Sequence, residues 1–291
     1  MELIQSDNKN CSLARYDFPV EQPKGKIILF HGLGSCIESM AFYVKHFNRL
    51  GFSVYGVDLL GHGASDGVRG HVGRRRQLYK DIAALIVSVK AQKGDVPIIL
   101  FGCSIGGNIV FSYRHFCNDA NVFLSVAFNP MLELLYSVDR IVLYFLPVIN
   151  LLSPAMTLSH GLNVTQLYGE KDSGFRSPQN HSRISMGTFH DVLHAAEIML
   201  TSKAKPVTPG LILASAGDVI CNYKSAKKLA AESNKYVDFI ELDENISHAV
   251  TDDKTVGQLI SLVTDYIEPR LDTYTPVDRA ADDLPVHDAD V

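Results

Sequence analysis

The sequence predicts an α/β fold, a mostly parallel central sheet flanked by helices. Three observations carry this. Short, β-branched apolar runs recur along the chain, helical segments separate them, and the runs end in loops rich in Gly, His, Ser or Asp. Strands of a parallel sheet are covered on both faces, so they read as continuous rather than alternating apolar runs, as these do.

In order, residues 26–30 (KIILF) form the first run, which stops at His31-Gly32. A helical segment continues to residue 49, and 51–58 (GFSVYGVD) gives a second strand before the loop LLGHGASDGVRGHVG. From Arg76 to Lys90, Leu78, Ile82, Leu85, Ile86 and Val89 recur at helical spacing. A strand over 96–101 (VPIILF), a helix over 105–117 and a strand over 122–128 (VFLSVAF) follow. Alternation stops between about 130 and 205. It resumes with 210–216 (GLILASA), a helix over 222–233, a strand at 236–242 (YVDFIEL) and a helix near 255–268. The resumed pattern makes residues 1–130 and 206–270 one core and 131–205 an insertion into it. The Asp- and Pro-rich residues 271–291 have little to bury and are expected to form a disordered acidic tail.

Composition excludes several function classes. The 291 residues are 46% hydrophobic and 20% charged with a net charge of -5, so no basic excess exists to meet nucleic-acid phosphates. Five scattered cysteines without CxxC spacing argue against a zinc ribbon or a disulfide scaffold and read as reduced thiols. The start MELIQSDNKN lacks the basic-then-apolar order of a signal peptide, which predicts a cytoplasmic protein. The apolar stretch 141–152 is too short to span a bilayer and contains Pro147 and Asn150.

The chemistry centres on Ser104, set between Gly102 and Gly106 where a strand meets a helix. A nucleophile elbow demands that context, because a serine on so sharp a turn needs flanking residues without side chains. Two backbone amides must then hold the oxyanion. Ile105 follows the serine, and Leu33 lies in the HGLG loop directly after an earlier strand. A serine hydroxyl needs a base, and His248 stands in the loop after the last strand, where the chain order Ser, Asp, His puts one. Asp218, just past the preceding strand, is the expected acid. Asp238 and Glu241 lie within a strand and Asp243 at its end, which makes them poorer alternatives.

With these residues in view, the chain resembles the α/β-hydrolases of the monoacylglycerol lipase and lysophospholipase group. The resemblance rests on HGLGS (31–35), GFSVYGVDLLGHGASDGVRGHV (51–72), GCSIGG (102–107), ASAGDVI (214–220) and SHAV (247–250). It covers roughly residues 25–270 and implies an α/β-hydrolase fold with a helical cap at 131–205. By that resemblance Ser104, Asp218 and His248 form the triad, Leu33 and Ile105 give the oxyanion amides, and Asp58 shapes the floor of the site. The expected activity is hydrolysis of single-acyl lipid esters through an acyl-enzyme, with no cofactor and no metal. The apolar cap would give peripheral contact with a membrane. The alternatives are a short-chain carboxylesterase, a thioesterase, an aminopeptidase-like hydrolase on the same machinery, or a silent binding protein of this fold. Three positions depart from the family. Cys103 replaces the usual His before the serine, Cys36 follows the HGLGS loop, and Arg74-Arg75-Arg76 forms a basic cluster, read either as a solvated helix start or as an anionic-headgroup contact.

Overall fold

The structure is a computed structural model that describes residues 1–8, 10–136, 138–169, 174–203, 206, 208–233 and 235–275. The chain opens with β1 (Glu2–Gln5), β2 (Ser12–Phe18) and β3 (Gly25–Phe30). A single 3-10 turn, Ile37–Met40, leads into α1 (Ala41–Arg49), followed by β4 (Phe52–Val57), α2 (Arg75–Lys90), β5 (Ile98–Cys103), α3 (Ile105–Cys117) and β6 (Val122–Phe128). Next come α4 (Arg140–Leu152), β7 (Thr157–Ser159), α5 (Val164–Tyr168), β8 (Arg183–Ser185) and α6 (Met186–Thr201). The chain then continues through β9 (Gly210–Ser215), α7 (Tyr223–Ala231), β10 (Val237–Leu242) and α8 (Asp253–Leu271).

Eight strands form one sheet in the order β1-β2-β4-β3-β5-β6-β9-β10. The six from β4 to β10 run parallel, and β2 joins β4 antiparallel. Alternate residues of each strand feed separate cores on the two faces. Ile27 and Leu29 pack with Phe47 of α1 and Ile260 and Val263 of α8. Ile28 and Phe30 pack with Ile82 and Ile86 of α2 and Ile109 and Val110 of α3. Chain order reverses across β4-β3-β5, so the loops after β3 and β5 meet in a crevice at the carboxyl edge, the usual place for a ligand in such sheets.

The structure adds one feature to the sequence expectations and corrects two. The antiparallel pair β1 and β2 was not predicted, because Arg15 and Asp17 break up its apolar run. Arg15 is nevertheless buried, held by Asp17 at 2.7 Å and by Ser88 at 2.8 Å. Leu271 closes α8 rather than opening a tail, and it packs against the second core. The rest of the tail expectation, from 276 onward, lies outside the described residues. The Arg74-Arg75-Arg76 cluster is not simply a solvated helix start. Arg74 donates to the Asn150 side chain of α4 at 2.9 Å, and Arg75, buried, bonds His194 of α6 at 2.9 Å. Those two arginines fasten the start of α2 to the inserted segment.

Residues 131–203 contribute no described strand to the large sheet. They add α4 to α6 and a two-stranded antiparallel sheet of β7 and β8, whose strands of three residues are too short to leave a pattern in sequence. Helix α4, capped by Asp139, buries only Leu146 and Asn150. Its Ile141, Tyr144 and Leu151 are 68%, 78% and 74% exposed. Among the described residues no helix is long and apolar enough to cross a membrane.

Candidate active site

The turn from β5 to α3 holds Ser104 at φ 55°, ψ -115°, a left-handed strain that non-glycine residues adopt only when their surroundings impose it. The surroundings do so with backbone hydrogen bonds. Ser104 N donates to Phe128 O at 2.9 Å, and Ser104 O accepts from Asn108 N at 3.0 Å and Met131 N at 3.1 Å. The flanking glycines are steric requirements. A Cβ on Gly102 would stand 2.2 Å from Gly106 O, and one on Gly106 would stand 2.3 Å from Phe30 O.

His248 and Asp218 reach this turn from the loops after β10 and β9. Ser104 Oγ lies 2.8 Å from His248 Nε2, and His248 Nδ1 donates to Asp218 Oδ2 at 2.7 Å. The other carboxylate oxygen accepts from the amides of Ile220 and Cys221 at 2.8 and 3.0 Å, which fixes its orientation. Both Asp218 and His248 are buried. Sequence reading thus named three side chains that the fold brings into one chain of hydrogen bonds. Of the alternative acids, Asp238 instead accepts from Tyr266 at 2.6 Å, Glu241 pairs with Lys227 at 2.8 Å, and Asp243 takes the amide of Asn245 at 2.8 Å.

The loop of Leu33 abuts the serine, since a Cβ on Gly32 would lie 3.5 Å from Ser104 Cβ. Neither the Leu33 nor the Ile105 amide donates to another described residue. Ile105 N also sits at the N-terminus of the 13-residue α3, where unsatisfied amides favour negative charge.

Several residues that complete this frame escaped the sequence reading. Asn129, directly after β6 and at φ 42°, accepts from Ser215 N at 2.8 Å and donates to His248 O at 3.0 Å, joining the loops that carry Asp218 and His248. Its one visible signal is a polar residue at a strand's carboxyl end. His31 donates from Nδ1 to Gly32 O at 2.8 Å and accepts from Leu59 N at 3.0 Å, bracing the HGLG loop. Asp58, fully buried, takes the Ile37 and Ala64 amides at 2.7 and 2.9 Å and the Tyr16 hydroxyl at 3.0 Å. It fastens the start of the 3-10 turn and the loop after β4 to β2.

Cys103 lies beside the serine, with its thiol near Tyr43 and its pKa pushed up to about 12 by burial. It is therefore protonated and a poor nucleophile near neutral pH. Among the described residues one trio has the side chains to ligate a metal, Asp218, Cys221 and His248, with ligating atoms within 4.8 Å of one another. In it, Asp218 and His248 already bond each other, and His248 turns its remaining nitrogen to Ser104.

Ser104 and His248 open onto a cavity of about 290 Å³ with a chiefly apolar wall. Met40, Tyr43 and Phe128 of the core and Val142, Leu158 and Phe189 of the inserted segment all line it. Two points of that segment, its start and its middle, are tied to the site loops. Leu135 N donates to Ile220 O at 2.8 Å beside Asp218, and His181 N donates to Gly34 O at 2.8 Å.

The chain is similar to known hydrolases in sequence and in fold. The family described as serine aminopeptidase, S33 (Hydrolase_4) matches residues 21–255. A monoglyceride lipase homolog of monkeypox virus is 25% identical over 252 residues, covering 82% of this chain and 88% of its own. An uncharacterized abhydrolase domain-containing protein of Dictyostelium discoideum is 25% identical over 93% of this chain, which spans 29% of that protein's length. Among solved structures, Paleococcus ferrophilus monoacylglycerol lipase superposes with a TM-score of 0.77 at 25% identity, covering 88% of this chain and 98% of that one.

Proposed function

The chain belongs to the serine aminopeptidase S33 family of α/β-hydrolases and is a carboxylic-ester hydrolase of the monoglyceride lipase kind, and from that premise we propose that it cleaves single-acyl lipid esters with Ser104, His248 and Asp218. The observation that carries the reading is the pair of hydrogen bonds, 2.8 and 2.7 Å, that link these three side chains at the wall of an apolar cavity. In the proposed mechanism His248 Nε2 takes the Ser104 proton as Oγ attacks the ester carbonyl. The Leu33 and Ile105 amides hold the oxyanion, each contributing about 3 kcal/mol by precedent. His248 then gives its proton to the leaving alcohol, and Asp218 stabilises the imidazolium throughout. Water, activated by the same histidine, releases the fatty acid from the acyl-enzyme.

Residues 131–205 act as a cap in this proposal. They supply the outer wall of the cavity, excluding water from the reaction and receiving the acyl chain. The exposed apolar side of α4 docks on a lipid surface, so that an acyl chain passes into the cavity without crossing bulk water.

A fluorophosphonate probe and a substrate panel test the reading together. Labelling of the wild type that disappears in Ser104→Ala supports the nucleophile. Turnover of long-chain monoacylglycerols above short soluble esters, thioesters and aminoacyl amides supports the substrate class. A preference for short esters or for amides would replace that class while leaving the nucleophile in place.

A further inference from the structure

In a cavity this apolar, each fixed polar hydrogen that the protein itself leaves unused bears on what the alcohol part of the substrate must offer. Ser39 and Tyr43 have their hydroxyls engaged, with Asn180 at 2.9 Å and Val250 O at 3.1 Å. His160 differs. It lines the cavity just beyond β7, and its backbone amide donates to Ser182 O at 2.9 Å, extending the β7–β8 ladder by one rung. The neighbouring His181 bonds Gly34 O through its own amide. That contact sets this end of the β7–β8 pair against the loop of Leu33, and Leu33, Ser104 and His160 line the same cavity.

The ring of His160 is held in one tautomer. Leu162 N–H donates to Nδ1 at 3.1 Å, so in the neutral imidazole the proton sits on Nε2. Burial lowers the pKa of the ring, so it is neutral near pH 7. Nε2–H has no bonding partner among the described residues. The ring is thus an oriented donor with one hydrogen to give.

We propose that His160 is a specificity-determining residue whose Nε2–H donates to a hydroxyl oxygen on the alcohol part of the ester, so that the enzyme favours polyol esters over simple alkyl esters of the same acid. The inference rests on the ester-hydrolase reading above. His160 is half-buried, and a bound ester covers its Nε2–H; an analogue without the hydroxyl then takes water from the donor and leaves it unpaired.

The test compares wild type, His160→Phe and His160→Gln on a monoacylglycerol and on the ethyl ester of the same fatty acid. Fluorophosphonate labelling reads the integrity of the Ser104 machinery separately. His160→Phe is expected to lower the ratio of kcat/KM, monoacylglycerol over ethyl ester, about tenfold, the worth of one hydrogen bond, mainly through KM. His160→Gln, which keeps an N–H donor, is expected to restore most of that ratio. A ratio that neither variant moves overturns the proposal, and so does a loss shared equally by both esters. Should His160→Phe also lose labelling through misfolding, the ratio in the Gln variant and in His160→Ala decides by the same criterion. A wild type that labels but hydrolyses neither ester would instead sink the ester-hydrolase reading, a result distinct from an unmoved ratio.

Discussion

Two adjacent residues, Cys103 and Ser104, both carry nucleophilic atoms, and the backbone decides between them. The turn sets Ser104 Oγ against His248 Nε2, while Cys103 stays on the strand side with a thiol whose pKa burial has pushed up to about 12. Ser104→Ala is therefore expected to abolish fluorophosphonate labelling, whereas Cys103→Ala retains it. Labelling that followed Cys103 instead would reverse the assignment. Asp218→Asn is the sharper probe of the relay. With the amide oxygen held by the Ile220 and Cys221 amides, the NH2 faces His248 Nδ1, the ring takes the wrong tautomer, and turnover should fall about 10⁴-fold with the fold intact. Near-normal turnover would mean that another acid orients the histidine. Gly102→Ala and Gly106→Ala place a methyl against backbone oxygens that cannot rotate away. Each should cost at least about 1–3 kcal/mol in denaturant unfolding.

At the level of elements, what was legible in the sequence followed local physics. The β3, β5, β6 and β9 strands are buried on both faces and therefore read as unbroken apolar runs. The Ser104 turn was legible because both of its glycines stand in one five-residue motif between a strand and a helix, although the oxygen that excludes a side chain at Gly106 comes from the distant Phe30. Asn129 and the histidines that brace the site were not, because each acts by joining loops far apart in the chain, and a single polar residue after a strand has many ordinary uses. Strand β2 was hidden by Arg15, whose charge is neutralised within the fold by Asp17. Helix α4 sits at the boundary between these cases. Its apolar composition was plain, but only the structure separates its cavity-facing Val142 from its outward Ile141, Tyr144 and Leu151. If the outward face docks on lipid, Tyr144→Ser combined with Leu151→Ser should weaken sedimentation with phosphatidylcholine vesicles. Each such side chain should contribute about 1.5–3 kcal/mol when fully buried. Hydrolysis of a monomeric soluble ester should change little in comparison, and equal vesicle binding by both proteins would exclude this face.

Across the whole molecule, three histidines from distant parts of the sequence converge beside the site and make its stability depend on pH. His31 and His62 have ring centroids 5.2 Å apart, and His62 and His181 4.8 Å. His31 comes from the HGLG loop, His62 from the loop after β4 and His181 from the inserted segment, so the cluster clamps core and insertion together. Each is neutral near pH 7. Burial is the largest cause lowering all three pKa values, and mutual repulsion adds to it for His62 and His181. Arg69 lowers His62 and His181 further, while Asp58 partly offsets the effect at His31. His62 donates from Nδ1 to Leu60 O at 3.0 Å, and its buried Nε2 has no partner among the described residues. A histidine whose pKa is depressed by folding binds its proton more readily in the unfolded chain, so stability rises with pH there. The contribution is fully present above the unfolded value, about 6.5, and is lost as pH falls from there toward the folded value. Urea midpoints should accordingly drop between pH 7 and pH 5. His62→Asn keeps a donor for Leu60 O but cannot take a proton, and it should flatten that dependence by up to about 1.4 kcal/mol per pH unit. Groups shared by the two proteins cancel in the difference between their profiles. Parallel profiles for wild type and variant would show that the cluster does not couple protonation to the joining of core and insertion, whereas a flatter one would locate the coupling at His62.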